Sequence, residues 1–374
     1  MSTCSLAQHL MDVRDPRRET KNLLHPMQNI LAIAFCSIIC GSEKFTEMEE
    51  FGKAKREFFG QLLDLSAGIP SHDTFGRVFA AISPDELMNR LSSWLVTRCG
   101  PQGLTGETVA IDGKAMRGAG GAEGMVHVVG AWASEHSLAL GQRAVDGKSN
   151  ETEAIPHLIE MLDLEGAVVT IDAAGCQKNI AAKIIEQDAD YVLALKKNHP
   201  TLYAEVADCF LAAFESSEAS LRHVCRCDCS HGREETRDYY ILPVPSDLYE
   251  IEQWEGLRSI GMAARYWIDR KTGEEKGDVR YYISSLEPKV KRFAKSVRSH
   301  WSIENSLHWV LDVAFREDAC RIENPTAATN LSAMNRLALS AIKSDKIVKR
   351  GVATKRKVAG WKDGYLLSLL DQCG

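Results

Sequence analysis

Several things are scarce in this sequence, and each scarcity closes off a class of protein. No apolar run is long enough to cross a bilayer. The most apolar stretch, ILAIAFCSIIC from Ile30 to Cys40, falls well short of the roughly 20 residues a spanning helix needs and predicts a buried helix. The opening residues, MSTCSLAQHLMDVRDPRRE, hold no apolar core ahead of a cleavage site, so no secretory signal is expected. The 11 cysteines follow no regular spacing, which predicts reduced thiols in the cytoplasm rather than a disulfide framework. Excess positive charge is missing too. With 45 Lys and Arg against 51 Asp and Glu the net charge is −6, which argues against coating nucleic acid by bulk charge. Local basic clusters remain: Arg14, Arg17 and Arg18; Lys53, Lys55 and Arg56; Lys289 to Arg298; and a tail from Lys343 to Lys362. There is no internal repeat or low-complexity tract. GAGGAEG after Arg117 fits no P-loop and reads as a hairpin connection.

What is present changes character along the 374 residues. Residues from about 20 to 100 carry apolar positions at helical spacing, with Gly41 as a helix stop and Ser71 or Asp73 as a cap ahead of Phe75, Val78, Phe79 and Ile82. Short successive helices with Arg77 on the last suit either a helix-turn-helix reader of DNA or a small helical packing domain. The Gly- and Pro-rich CGPQGLTGE marks a boundary near residue 103, which predicts a helical domain over 1–103 and a second domain over 104–374.

Beyond it the pattern turns to strands: TVAIDG, MVHVVGAWASE and LALGQRAVD, then helix EAIPHLIEMLDL, strand AVVTIDAAG, helix NIAAKIIEQ and strand DYVLALK. This α/β order is that of a ribonuclease-H-like sheet, in which the first and fourth strands lie side by side. After Lys197 the regularity weakens, and LRHVCRCDCSHGREETRDYYIL, LRSIGMAARYWID and DVRYYISSL predict strands in a β-rich insertion at about 198–288; helices then resume and end in a basic C-terminal tail.

The side-by-side pairing would make neighbours of Asp112 and Asp172, each an acid at the end of an apolar strand. Either alone reads equally well as an ordinary capping aspartate. Together, two close carboxylates need a cation between them, and hard oxygen ligands suit Mg²⁺ or Mn²⁺. Lys114 and Arg117 would follow Asp112 into the same mouth. A third carboxylate would allow two ions about 4 Å apart, the arrangement that activates an attacking oxygen and stabilises a leaving one at a phosphodiester.

RSHWSIENSLHWVLDVAFRED, from Arg298 to Asp318, reads as an amphipathic helix with Ile303, Leu307, Val310 and Ala314 as its buried stripe. Glu304 flanks that stripe and can supply the third acid. His300, Glu304, His308 and Asp312 recur at intervals of four, but the histidines are eight apart, so the His-Glu-x-x-His zinc motif is absent. CRCDCSH sets Cys225, Cys227, Cys229 and His231 at alternate positions of a strand, where half-buried thiols are a better reading than structural zinc.

AIDGKAMRGA, KSNETEAIPHLIEMLDLEGAVVTIDAAGCQ, YVLALKKNH, HGREETR and HWSIENSLHWVLDVAFRED closely resemble the H-repeat-associated proteins, DDE-type transposases of bacterial insertion sequences, and GIPSHDTFGRVF resembles the helical domain that precedes their core. The resemblance implies a ribonuclease-H-like enzyme of the nucleoid. It would cut double-stranded DNA at an element's terminal inverted repeats and join the 3′-hydroxyl to target DNA, as a homodimer or larger assembly with two Mg²⁺ or Mn²⁺ ions. It places Asp112, Asp172 and Glu304 as catalytic and metal-binding acids. The related Tyr-x2-Arg-x3-Glu-x6-Lys pattern is not kept: Val297, His300 and Leu311 occupy those places, so Arg298 and His300 are the candidates for the lost phosphate contacts. A catalytically silent DNA-binding relic is the alternative, which the intact acids disfavour.

Overall fold

The structure is a computed structural model, and it describes residues 13–18, 23–121, 124–145, 150–217, 219–230, 233–269 and 272–371. Helices α1 (Met27–Cys40), α2 (Phe45–Ala54), α3 (Arg56–Gly60), α4 (His72–Ala81) and α5 (Pro84–Thr97) come first. Strands β1 (Thr108–Met116), β2 (Val126–Ala133) and β3 (Leu138–Val145) follow, then α6 (Glu151–Glu160), β4 (Val168–Ile171), α7 (Lys178–Glu186), β5 (Asp190–Leu195) and α8 (Pro200–Glu215). Next are β6 (Arg222–Ser230), β7 (Arg233–Pro243), β8 (Ser259–Asp269) and β9 (Glu275–Ser284). The last elements are α9 (Val290–His300), a π-helical turn (Ile303–His308), α10 (Trp309–Ala314), α11 (Pro325–Ser344), α12 (Val352–Trp361) and α13 (Asp363–Asp371). The protein is thus a mixed α/β chain. Among the described residues no single helix is long and apolar enough to cross a membrane.

Two compact units are present. The first combines Met1–Gly103, Gly113–Leu162 and Glu304–Gly374; the second combines Leu104–Asp112 and Asp163–Ile303.

In the first unit, α1 buries its apolar run and stops at Gly41, whose φ of +120° a side chain would resist. Ser71, rather than Asp73, caps α4 by accepting from the Thr74 amide. α11 lies at the centre, packed against α1, α4, α5 and β3, and is buried without a break from Ala327 to Ile342. A helix covered on every side must satisfy its polar groups internally. Asn330 donates to the carbonyls of Phe79 and Ile82 at 2.8 and 2.9 Å, Ser340 accepts from the Ala139 amide at 3.0 Å, and Arg336 pairs with Glu317 at 2.9 Å.

In the second unit the strand order is β1-β4-β5-β9-β8-β7-β6. β1 pairs with β4, and β4 with β5, in parallel; the remaining pairs are antiparallel. All of β4, VVTI, is buried, as a continuous apolar strand covered on both faces should be. α9 lays Phe293, Ala294 and Val297 on the sheet, and Gly261 makes room: a Cβ there would meet the Phe293 ring at 2.3 Å.

Two expectations about local structure need correcting. The segment after β5 does not begin with strands but with α8, whose Leu202, Val206, Phe210 and Ala213 are buried at helical spacing behind Pro200 at the first turn. The stretch from Arg298 onward is not one regular helix. The π-helical turn inserts a residue, so the buried positions are Ile303, Leu307, Leu311 and Phe315 instead of a stripe through Val310 and Ala314.

Candidate active site

The parallel register of β1 and β4 positions the first two acids. Ile111 stands opposite Ile171, so Asp112 and Asp172 are the next residues on neighbouring strands: Asp172 lies just past the carboxyl end of β4, whereas Asp112 lies within β1, which runs on to Met116 instead of ending at its acid as the sequence suggests. Strands about 4.8 Å apart bring such residues side by side. Both belong to the second unit. Asp172 is exposed, and its Oδ1 accepts from the Ala174 amide at 3.0 Å, capping a single 3₁₀ turn at Ala173–Gly175. The capping reading is therefore correct for one oxygen, and the carboxylate has lone pairs left for a second partner.

The turn after Asp172 is clamped from the end of β5. Asn198 donates to the Ala173 carbonyl at 2.9 Å, and His199 Nε2 lies 2.7 Å from the Cys176 carbonyl. The His199 ring packs edge-on against Trp254 at 5.4 Å. No local pattern in the sequence singles out Asn198 or His199; their only signal is their place in YVLALKKNH. Lys196 and Lys197, just before them, are exposed beyond the carboxyl end of β5. Cys176 is inert: burial, with the Asp172 charge behind it, pushes its thiol up to about 12.

The candidates for phosphate contact around α9 separate cleanly. Arg298 is exposed. His300 Nδ1 lies 3.1 Å from Thr170 Oγ1, which places the imidazole beside β4 two residues before Asp172. Val297 is a core residue packed with Phe293.

In the first unit, Glu304 lies in the first turn of the π-helical segment with its side chain 55% exposed, and its Oε2 lies 3.7 Å from Nδ1 of the buried His308. Glu304, His308 and Asp312 do not form a uniform solvated line, because His308 is turned into the core. Lys114 is also buried. Its ammonium donates to Asp312 at 2.6 Å and stands 3.7 Å from Asp318, so its charge is neutralised within the protein rather than offered to a phosphate. Arg117 is the opposite case: 78% exposed, with Asp318 at 3.8 Å. Gly113, directly after Asp112, is a close-approach glycine, since a Cβ there would lie 2.4 Å from Glu151 Oε1. Arg77, exposed on α4, lines a cavity of about 640 Å³ with Phe45, Met116, Arg316, Glu317 and Leu331.

Cys225 and Cys227 lie on β6 as expected, but exposed rather than half-buried, with their sulfurs 3.8 Å apart. His231 lies outside the described residues.

Residues 7–95 match the family model of the DDE_Tnp_1-associated domain, and residues 103–340 match that of the transposase DDE domain. Over 381 aligned residues, spanning all of both chains, the sequence is 36% identical to the "H repeat-associated putative transposase YhhI" of Escherichia coli K12. It is 38% identical over 256 residues to an uncharacterized protein in the dhlA 3′ region of Xanthobacter autotrophicus, covering 67% of this chain and 84% of that one. A cryo-EM structure of the piggyBac transposase synaptic complex with hairpin DNA superposes with a TM-score of 0.40 at 10% identity, over 98% of this chain and 78% of that one; a likeness so loose carries no argument. With a model of the transposase DDE domain matching most of its length and a full-length relative at 36% identity, the chain belongs to the H-repeat-associated family of DDE transposases.

Proposed function

We propose that the protein cuts DNA at the ends of an insertion element and joins the released 3′-hydroxyl to target DNA, in a ribonuclease-H-like core that uses Asp112, Asp172 and Glu304 as its three acids. The observation that carries this reading is the β1–β4 register, which makes Asp112 and Asp172 the first residues beyond the last parallel pair, Ile111 with Ile171, with Asp172 at the carboxyl end of β4, the usual place for ligands in an open α/β sheet. Glu304 enters by its place in the shared motif, and its exposed carboxylate is chemically suited to the role.

The donors are all hard carboxylate oxygens, which fit Mg²⁺ or Mn²⁺ and not a thiophilic ion. Asp112, Asp172 and Glu304 would hold two such ions, which when bound supply charge stabilisation at the phosphodiester and lower the pKa of the attacking hydroxyl. The protein's own groups do the positioning. Asn198 and His199 fix the turn that aims Asp172, with one carboxylate oxygen tied to the Ala174 amide and the other left for the ion. Lys196, Lys197, Arg117 and Arg298 are exposed cations available to the DNA backbone. His300, held at Thr170, takes the place of the missing pattern arginine, and Arg77 is a further candidate contact from the helical segment. Lys114 has a positioning role: bonded to Asp312, it anchors β1 just beyond Asp112.

The test is nicking and joining of plasmid DNA that carries the element's flanking ends, comparing wild type with Asp112→Asn and Glu304→Gln in Mg²⁺, Mn²⁺ and EDTA. Metal-dependent cutting by wild type alone is expected. Binding of the ends by all three proteins with cutting by none would replace the enzyme reading with a silent DNA-binding one.

A further inference from the structure

Among the described residues β6 is the end strand of its sheet, bonded to β7 on one side and to no strand on the other. Its nine residues pair with β7 without a break from Arg222 opposite Ile241 to Ser230 opposite Arg233. Bulges, prolines and short lengths are the devices that usually blunt a sheet edge, and β6 has none of them, so it leaves a long row of outward N–H and C=O groups. One face is occupied. Val224 packs on the cluster built around Phe293 of α9, and alternation turns Cys225 and Cys227 to the other, open face.

The charges on this edge are arranged about a point. Arg226 and Asp228 flank Cys227, one on each side. If β6 meets β6 of a second copy antiparallel about a two-fold axis at Cys227, Arg226 of each copy stands opposite Asp228 of the other. Moving the axis to residue 226 sets arginine against arginine, and moving it to 228 sets aspartate against aspartate. Like charges directly opposite are unfavourable across strands and opposite charges favourable, so of the axes at 226, 227 and 228 charge favours the one at Cys227; an axis at Cys225, which sets Asp228 opposite Arg222, is the competing register. The hairpin itself does not use Arg226: it is exposed, lies across from Arg237, and makes no ion pair among the described residues, whereas Arg237 pairs with Asp228 at 2.8 Å.

We propose that β6 is a self-association edge, joining two copies of this chain through an antiparallel β6–β6 pair centred on Cys227. This surface is independent of the proposed DNA chemistry. A pair of nine-residue strands buries less than the roughly 800 Å² per partner of a standard stable interface, so the association is weak and depends on concentration.

The experiment is sedimentation of the full chain from low to high micromolar concentration, for wild type, Arg226→Asp, Asp228→Arg and the double exchange. Concentration-dependent dimerisation is expected for wild type, weakened at least about tenfold in each single variant and regained in the double one, where the charges oppose each other again. A wild type monomeric throughout, singles that dimerise as well as wild type, or a double variant no better than the singles would overturn the proposal. Register is read separately by mild oxidation in a Cys225→Ser, Cys229→Ser background, which removes the other thiols of β6. Cross-linked dimers that form there and vanish on adding Cys227→Ser are expected; failure of Cys227 to cross-link rules out the axis.

Discussion

β4 and β6 belong to one sheet in the same unit, yet they present chemistry in opposite ways. β4 is four buried residues with a parallel partner on each side, so its only accessible group is the one at its end, Asp172. β6 is nine residues with one partner, and most of its length is open to solvent. A strand covered on both faces and both edges can act only where it stops, with a geometry fixed by everything packed around it. A strand at the margin can act along its whole length, but with looser geometry and smaller energies.

That contrast can be broken by substitution. The largest effect is expected for Asp172→Asn, which keeps the cap on Ala174 but loses the charge. Strand cleavage should fall by more than about a hundredfold with end-DNA binding and thermal midpoint retained, since even partners of metal ligands are worth about 10–100-fold. Cleavage surviving in gel assays would remove Asp172 from the chemistry. Next, Ile171→Ala in β4 should lower unfolding free energy by about 2–5 kcal/mol in urea titrations, a full cavity cost. Val224→Ala, half-buried on β6, should cost under about 1.5 kcal/mol; similar losses for both would mean the edge is as tightly packed as the centre. Third, His199→Ala frees the turn behind Asp172 and should slow cleavage about 10–100-fold at unchanged DNA affinity. A parallel loss of affinity in a filter-binding series would recast His199 as a DNA contact.

The smallest effect carries the contrast between covered and open surroundings over to a charge. In the first unit Lys343 sits 5.0 Å over the Trp132 ring, and burial lowers its pKa to about 8. The unfolded chain, with a lysine pKa near 10.4, therefore holds more protons between those values, and stability should rise as pH goes from about 8 to about 10. In thermal melts across that range, Lys343→Met should flatten the rise relative to wild type. An identical slope in the variant would show that Lys343 is not the group responsible.

Much of this was legible in the residues. An apolar run ending in an acid marked the end of β4 correctly at Asp172; at Asp112 the same pattern marked only the end of the pairing with β4, because β1 runs on to Met116. Ser71, Gly41 and the buried helix at Ile30 to Cys40 followed from caps and spacing that act within a few residues of themselves. α8 was legible in principle, since Leu202, Val206 and Phe210 recur every four residues, but the aromatic and cysteine content beyond it suggested strands. The stripe through Val310 and Ala314 failed because a π-turn changes the period without any residue that announces it. The place of Lys114 was also hidden: nothing near it in sequence says that Asp312, far along the chain, will neutralise it.

By itself the sequence determined the helix caps, the end of β4 and the family, because these depend on local pattern and on motifs that survive as strings of letters. Tertiary structure decided which charges remain available. It buried Lys114 and His308 and left Arg117, Glu304 and the edge of β6 open, since burial and pairing are set by residues distant in the chain that only folding brings within reach.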